Sequence, residues 1–394
     1  MFLSPLLGGS ATLVTLPGTI ELLMLTAGGI LPRQQASLEM SPLKKLAIVI
    51  PAHNEAGSIE QCVKSILEAD KPAAIVKVLV VADNCTDNTS ILALSAGAEV
   101  LERTDNSRRG KGFALEFAFG GLLKDPDVDA ILVVDADTIV EQNFLTECEK
   151  SLRSGADGVQ SRYLVKNPEG SDRARLMNTA LLAFNVLRPR GRDRFGFSAG
   201  ILGNGWGLTR RCLERVPYNA HSVVEDLEYH IRLVREGMRV RFVDSTTVYG
   251  EMPSDDDAAA TQRSRWEGGR FRMVREQLPS IIKDLAQRRF RSLEPMGELM
   301  LLPLAYHVGG LTLTLAIPFL PTQVYAASAL GLVAVHVAAA IAVGGGSTDD
   351  LKALLKAPGY ILWKTRMLKN IFAASKKDQD WVRTGREHDN AGSY

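Results

Sequence analysis

Ala130-Ile131-Leu132-Val133-Val134-Asp135-Ala136-Asp137 is a short apolar run that ends on two carboxylates. A run of this length reads as a buried strand, so the acids stand at its carboxyl end. Upstream, residues 46–50 form another such run, stopped by Pro51 and followed by His53, Asn54 and Glu55. Residues 76–82 read as another buried strand, reaching Asp83, and 98–101 as a short one. Helical stretches lie between them. One begins at Ser58, which with Gln61 resembles a capping box, and runs to about 68. A second runs from an Asp87 cap to 96, and a third spans 112–123.

Strand and helix alternate throughout, the pattern of an α/β, doubly wound sheet with helices on both faces. Ligands of such sheets gather at the carboxyl ends of the strands. Asn54, Glu55, Asp83 and Asp135 each fall within a few residues of a strand end, which predicts one shared pocket. Past residue 157 the pattern becomes mixed. Residues 172–187 read as helix, 196–207 as a Gly-rich turn region, 224–235 as a helix opening on Glu225-Asp226, and 239–243 as a strand.

Asp135 and Asp137 at a strand end suit Mg²⁺ or Mn²⁺ held against a diphosphate, because hard cations choose oxygen ligands. Four other D-x-D pairs occur, at 125/127, 127/129, 255/257 and 378/380, but none follows an apolar strand. Glu225 and Asp226 are explained equally by a helix N-terminus, where carboxylates are favoured, and by a general base, Asp226, that takes a proton from an acceptor hydroxyl. Arg263, Arg265 and Trp266, in Gln262-Arg263-Ser264-Arg265-Trp266, could hold a diphosphate and stack on a ring. They could equally form a basic interfacial helix with a Trp anchor. Lys111, flanked by Gly110 and Gly112, could contact phosphate or sit in a solvated loop. His53 has no second histidine at ligand spacing and reads as pocket wall.

The 394 residues hold 46 Lys/Arg against 45 Asp/Glu, so no global pull toward nucleic acid is expected. Cys62, Cys85, Cys148 and Cys212 are scattered without C-x-x-C, which favours reduced thiols over disulfides or zinc. The near-neutral average hides a segregation: residues 299–348 contain no Asp, Glu, Lys or Arg. Pro318 and Pro321 divide them into 299–320 and 324–343, each near the roughly 20 residues of a transmembrane helix. Residues 11–31 read as a further crossing despite Glu21, with a helix lying in the interface as the alternative. Arg33, Lys44 and Lys45 follow that segment, and nine Lys/Arg lie in 350–394. The positive-inside rule then predicts about three transmembrane helices, with the central domain and C-terminal tail in the cytoplasm. The expected organisation is a membrane segment and linker at 1–43, a catalytic domain at 44–275, an amphipathic helix at 276–297, two crossings within 298–346 and a basic tail at 347–394. Ile281, Ile282, Leu285 and Phe290 suggest that the amphipathic helix lies on the membrane surface; packing on the catalytic domain explains them as well.

The ordered set P-x-H-N-E at 51–55, Asp83, D-x-D at 135–137, E-D at 225–226 and Q-R-x-R-W at 262–266 resembles membrane-bound family 2 glycosyltransferases, the group of cellulose, chitin and hyaluronan synthases. The likeness covers about 44–269. It implies a GT-A fold with a mixed sheet, a nucleotide-sugar donor such as a UDP-sugar, a divalent metal (Mg²⁺ or Mn²⁺) and inversion at the anomeric carbon. By position, Glu55 and Asp83 would contact the nucleoside, Asp135 the ribose or diphosphate, and Asp137 the metal, with Asp226 as base. Gln262, Arg263, Arg265 and Trp266 would border the diphosphate and the acceptor entrance, and Lys111 the donor. Gly203, Asn204, Gly205 and Trp206, with Glu225, would shape the acceptor end, Trp206 as a sugar platform.

The chain departs from cellulose synthases in having only two crossings after the catalytic domain, a tail too short for a cyclic-dinucleotide-binding domain, and no gating-loop signature. The expected activity is therefore transfer of a sugar to a glycan acceptor by an integral membrane protein whose catalytic domain faces the cytoplasm, as at a bacterial inner membrane. Transfer of one sugar to a lipid or polyprenyl phosphate is the alternative within enzymes. A silent nucleotide-sugar sensor is the alternative outside them. A dinucleotide-binding dehydrogenase is disfavoured because no G-x-G-x-x-G follows the first strand.

Overall fold

A computed structural model describes residues 3–32, 42–251, 256–300, 303–366, and 371, 373 and 375. Eight strands, β1 (Lys45–Ala52), β2 (Ile75–Asp83), β3 (Glu99–Arg103), β4 (Val128–Val133), β5 (Thr138–Val140), β6 (Gly158–Val165), β7 (Trp206–Thr209) and β8 (Val240–Gly250), form one sheet. Its order is β3-β2-β1-β4-β7-β6-β8-β5. The first four strands run parallel, as the strand–helix alternation predicts. β7 then runs antiparallel to both β4 and β6, β8 parallel to β6, and β5 antiparallel to β8. The sheet is mixed rather than wholly parallel.

β1 is apolar almost throughout because both its faces are covered. Leu46, Ile48 and Ile50 face a core shared with helix Ile59–Glu68 and helix Phe144–Arg153, while Ala47 and Val49 face one shared with helix Lys111–Leu122 and helix Glu225–Arg235. Residues two apart fall on one face, as the pleat requires. The expected capping box at Ser58 does not form. Its hydroxyl donates instead to the backbone and carboxylate of Glu55. At the next helix Asp87 does bond the backbone N–H of Thr89, at 3.0 Å.

Two helices, Ser4–Ile30 and Leu320–Gly344, are long and apolar enough to cross a membrane. The expected third crossing at 299–320 is not one straight helix. The segment ending near Leu299 and helix Leu304–Leu315 meet at a bend of 80°, a broken or re-entrant span. Twelve residues rise only about 18 Å, short of the roughly 30 Å hydrocarbon core. Pro303, at the start of helix Leu304–Leu315, lacks the N–H that would carry the preceding turn onward.

The apolar helices are fastened to the α/β domain. A Cβ on Gly191 would stand 2.4 Å from the Leu25 carbonyl, so helix Leu3–Ile30 meets helix Arg188–Arg194 backbone to backbone. Arg190 donates to the carbonyls of Gly29 and Leu31 at 2.8 and 2.9 Å and pairs with Asp244 at 2.6 Å, closing the C-terminus of the first helix with a cation.

Residues 276–286 are no separate amphipathic helix. They continue helix Asp256–Ala286, so the expected 275/276 boundary falls inside one element. Ile281 is buried with Val224, Ile231, Met273 and Leu299, whereas Ile282 and Phe290 are exposed. One side of this segment packs on the domain.

Candidate active site

The carboxyl ends of β1, β2 and β4 open onto one cavity of about 1220 Å³. Its walls include His53 and Glu55 after β1, Asp83 ending β2, Lys111, and Asp135 and Asp137 after β4. Gly203, Glu225, Asp226, Gln262, Arg263, Arg265 and Trp266 complete them. Of the fifteen site residues expected from sequence, twelve line this space. Asn204, Gly205 and Trp206 do not.

Those three build the wall from behind. Asn204 is fully buried, its amide donating to Thr138 Oγ1 at 2.8 Å and accepting from the Asp135 backbone N–H at 3.1 Å. It thereby fixes the turn that carries Asp135 and Asp137. Gln160 donates to the Asn204 carbonyl and accepts from Leu202 N–H, both at 2.8 Å, bracing the same turn. Trp206 is 2% exposed, stacked near Tyr218 and edge-on to Phe119, so it cannot serve as a sugar platform. The Gly-rich stretch before it hid a four-residue central strand, which turns the indole into the core.

Asp83 forms a 2.6 Å ion pair with Arg103, both largely buried. His53 lines the cavity, and its Nδ1 donates to the Asp83 carbonyl at 2.7 Å. The competing D-x-D acids at 125–129 lie elsewhere: Asp125 pairs with Lys45, and Asp127 and Asp129 with Lys44, at the amino end of β1. The 255/257 and 378/380 pairs involve residues outside those described.

Lys111 is the electrostatic hub. Its ammonium contacts the Asp135 carboxylate, donates to the Gly203 carbonyl at 2.5 Å and lies 4.0 Å from Glu225. Desolvation alone would lower its pKa, but the charges of Asp135 and Glu225 outweigh this and hold it above the ordinary lysine value. Gly203 has φ +83°, and a Cβ there would stand 3.1 Å from Asp226 Oδ2. A glycine is needed because the backbone both turns left-handed and passes against that carboxylate.

Glu225 and Asp226 open helix Glu225–Arg235 after Val224, which provides no side-chain cap. Burial, and for Glu225 the neighbouring Asp226 charge, push both carboxyls above the ordinary range, Glu225 to about 8. Helix placement accounts for acids here, but not for burying two of them in a cavity wall beside a lysine.

On the opposite wall, Arg263 pairs with Glu267 at 3.8 Å and lies over the Tyr360 ring at 5.4 Å. Trp266 is half-buried against the cluster of Leu164, Leu182 and Ile341. Among the described residues no group of three or more His, Cys, Asp or Glu could by itself hold a metal ion.

Sequence reasoning missed Arg188, Arg270 and Glu298, which line the same cavity. Arg188 follows Leu182–Leu187, a wider π-helical turn between two α-helical stretches. The expected helix at 172–187 exists, but with this change of winding. Arg188, the first cation after the uncharged stretch 181–187, was the available signal.

The model of the family described as "Glycosyl transferase family group 2" matches residues 130–343. The probable glycosyltransferase YdaM of Bacillus subtilis is 26% identical over 253 residues, covering 62% of this chain and 59% of that protein. The glycosyltransferase AglD of Haloferax volcanii is 30% identical over 210 residues, covering 50% and 32%. The chain thus spans about half the length of the curated relatives it matches. Among solved structures, the mannosyltransferase PcManGT of Pyrobaculum calidifontis, in complex with GDP-Man and Mn²⁺, aligns with a TM-score of 0.55 and 18% identity over 95% of this chain and 98% of that one. The two share a fold.

Proposed function

This chain belongs to glycosyl transferase family group 2, and on that premise we propose that it is a metal-dependent, inverting glycosyltransferase of GT-A type, anchored in the membrane with its catalytic domain on the cytoplasmic side. It moves a sugar from a nucleotide-diphosphate donor to an acceptor hydroxyl. One observation carries this reading: Asp83, Asp135, Asp137, Asp226, Arg265 and Trp266, drawn from nearly two hundred positions of sequence, line a single cavity.

In this reading the nucleoside lies by Glu55 and Asp83 and the diphosphate by Lys111, Asp135, Gln262, Arg263 and Arg265. The acceptor oxygen attacks the anomeric carbon opposite the leaving group. Its C–O bond forms as the bond from that carbon to the diphosphate oxygen breaks, its proton passes to Asp226, and nucleoside diphosphate departs. Burial that raises the pKa of Asp226 strengthens it as a base. Lys111 keeps the acidic cluster from repelling the diphosphate, and arginines fixed in place supply charge without reorganisation.

A divalent ion fits the donor set in one way. Asp137 offers hard carboxylate oxygen, and with no cluster among the described residues to complete a shell, the remaining ligands would come from diphosphate and water. When bound, Mg²⁺ or Mn²⁺ neutralises charge on the leaving group.

The test is release of nucleoside diphosphate by purified full-length protein from a panel of nucleotide sugars, with and without Mn²⁺ or Mg²⁺, followed by mass spectrometry. Folded protein that turns over no donor under any of these conditions overturns the proposal.

A further inference from the structure

The cavity does not end at the polar site. Its wall also includes an apolar stretch, here its arm, made by Leu304, Val308, Val333, Ala334, Val337 and Ala338. These residues belong to helices Leu304–Leu315 and Leu320–Gly344. Positions 333, 334, 337 and 338 recur at the three- and four-residue spacing that lays them on one helix face.

Resting on the transferase reading above, we propose that the acceptor is a lipid with a hydroxyl-bearing head. Its hydrocarbon chain fills this arm, Arg188 binds a head-group oxygen, and the hydroxyl is held toward Asp226.

Three observations carry the assignment. First, the arm offers no hydrogen-bonding side chain among the six that wall it. A glycan threaded there would lose its water without compensation, whereas methylenes gain by leaving water. Second, the helices enclosing the arm carry apolar side chains on their outer faces as well. Leu313 is 74% exposed, and Val324 and Val335 are 58%. Helices apolar inside and out are suited to hydrocarbon surroundings, from which a lipid chain reaches the arm without crossing water. Third, Arg188 stands within charge reach of His307 and His336, on the two helices that wall the arm. It is 7% exposed, lines the cavity, and its Nε has no hydrogen-bond partner among the described residues. A buried donor left unsatisfied is costly. A head-group oxygen here supplies the missing acceptor.

The reaction stays balanced as written above: the lipid hydroxyl gives its proton to Asp226, its oxygen joins the anomeric carbon, and nucleoside diphosphate leaves. Because a hydroxyl needs that base and a phosphate monoester oxygen does not, the head is assigned a hydroxyl.

The experiment uses the full chain in nanodiscs, the donor it hydrolyses, and an acceptor series with one hydroxylated head and chains from short to long. Expected is a kcat/KM, taken per acceptor in the nanodisc, that rises at least about tenfold from a chain too short to enter the arm to one that fills it, through packing contacts made in the arm. Ala334→Phe and Ala338→Phe should each cut the ratio of long-chain to short-chain transfer roughly tenfold, the effect of overfilling a packed site. Leu313→Phe, on the outer face, should leave that ratio where it was. Arg188→Met should raise KM for the lipid about tenfold while leaving the chain-length slope intact.

A flat dependence on chain length, equal ratios in the filled and outer-face variants, or a ladder of water-soluble oligosaccharides from the wild type overturns the proposal. Failure of the wild type to hydrolyse any donor is a different result, and refutes the transferase reading beneath it.

Discussion

Replacing Lys111 by methionine removes the cation around which the acidic wall is built, and the consequence can be worked from distance. Its ammonium lies 4.0 Å from the Glu225 carboxylate. Two unit charges at that separation interact by about 4 kcal/mol at an effective dielectric of 20, the equivalent of roughly three pKa units. The lysine side chain is 21% exposed, so water admitted to the site recovers part of this, and a shift of about 1–2 units is expected. The sign follows from the chemistry. Without the ammonium the carboxylates of Glu225 and Asp226 are less stable, their shared pKa rises, and the base is ionised only at higher pH. The acid limb of kcat/KM should therefore move to higher pH by about 1–2 units in Lys111→Met, and stay near its wild-type position in Lys111→Arg. The assay is nucleoside diphosphate release at saturating metal across the pH range, with the pH-independent maximum fitted separately. A limb that does not move, or moves toward acid, refutes the view that Lys111 governs the ionisation of this wall.

Asp226→Asn should lower kcat by about 10²–10⁴ while the KM for donor changes by less than about threefold, because the base acts on the acceptor rather than the nucleotide. Glu225→Gln should stabilise the protein by roughly 1–3 kcal/mol near pH 8 and by almost nothing near pH 5: an unfolded glutamate ionises near pH 4.5, the buried one only at about 8, so burying it costs stability that accumulates as pH rises between them. Melting curves of the variant and wild type at the two pH values check this. Chelation of divalent metal should abolish turnover and Mn²⁺ or Mg²⁺ should restore it, whereas Asp137→Ala should need at least about tenfold more metal for half-restoration. Trp206→Ala should destabilise the fold by about 3–5 kcal/mol, read as a fall in melting temperature, with little change in the acceptor KM of the protein that remains folded.

The first half of the sheet was legible because it obeys local rules. β1, β2 and β4 are buried over most of their length, so each holds a continuous apolar run, 46–50, 78–82 or 130–134, stopped by Pro51, Asp83 or Asp135, and the candidate functional residues sit at or just past the stop. The second half obeys no such rule. β7 has four residues, β5 three, and β6 interrupts its apolar positions with Gln160, Ser161 and Arg162. Gln160 and Ser161 are fully buried and satisfied by backbone groups of residues 202–205, partners more than forty positions away that no periodicity can reveal. Trp206 was misread for the same reason. An aromatic after a Gly-rich turn looks like a platform until the antiparallel pairing with β4 is known.

The apolar helices show the complementary failure. Hydropathy sums composition over a window and is blind to direction, so the uncharged stretch 299–348 reads as two crossings whatever the angle between its helices, here 80° between Phe290–Leu299 and Leu304–Leu315. Helix Leu304–Leu315 packs on helix Leu320–Gly344, and residues of both line the cavity that also holds Asp226, a placement that composition could not supply. If the bend matters to the site and not merely to the path of the chain, straightening it should act on transfer before it acts on the fold. Pro303→Ala restores the N–H that would let a helix run through. It should lower transfer to long-chain acceptors more than donor hydrolysis, and equal losses in the two rates would show that the bend serves the fold alone.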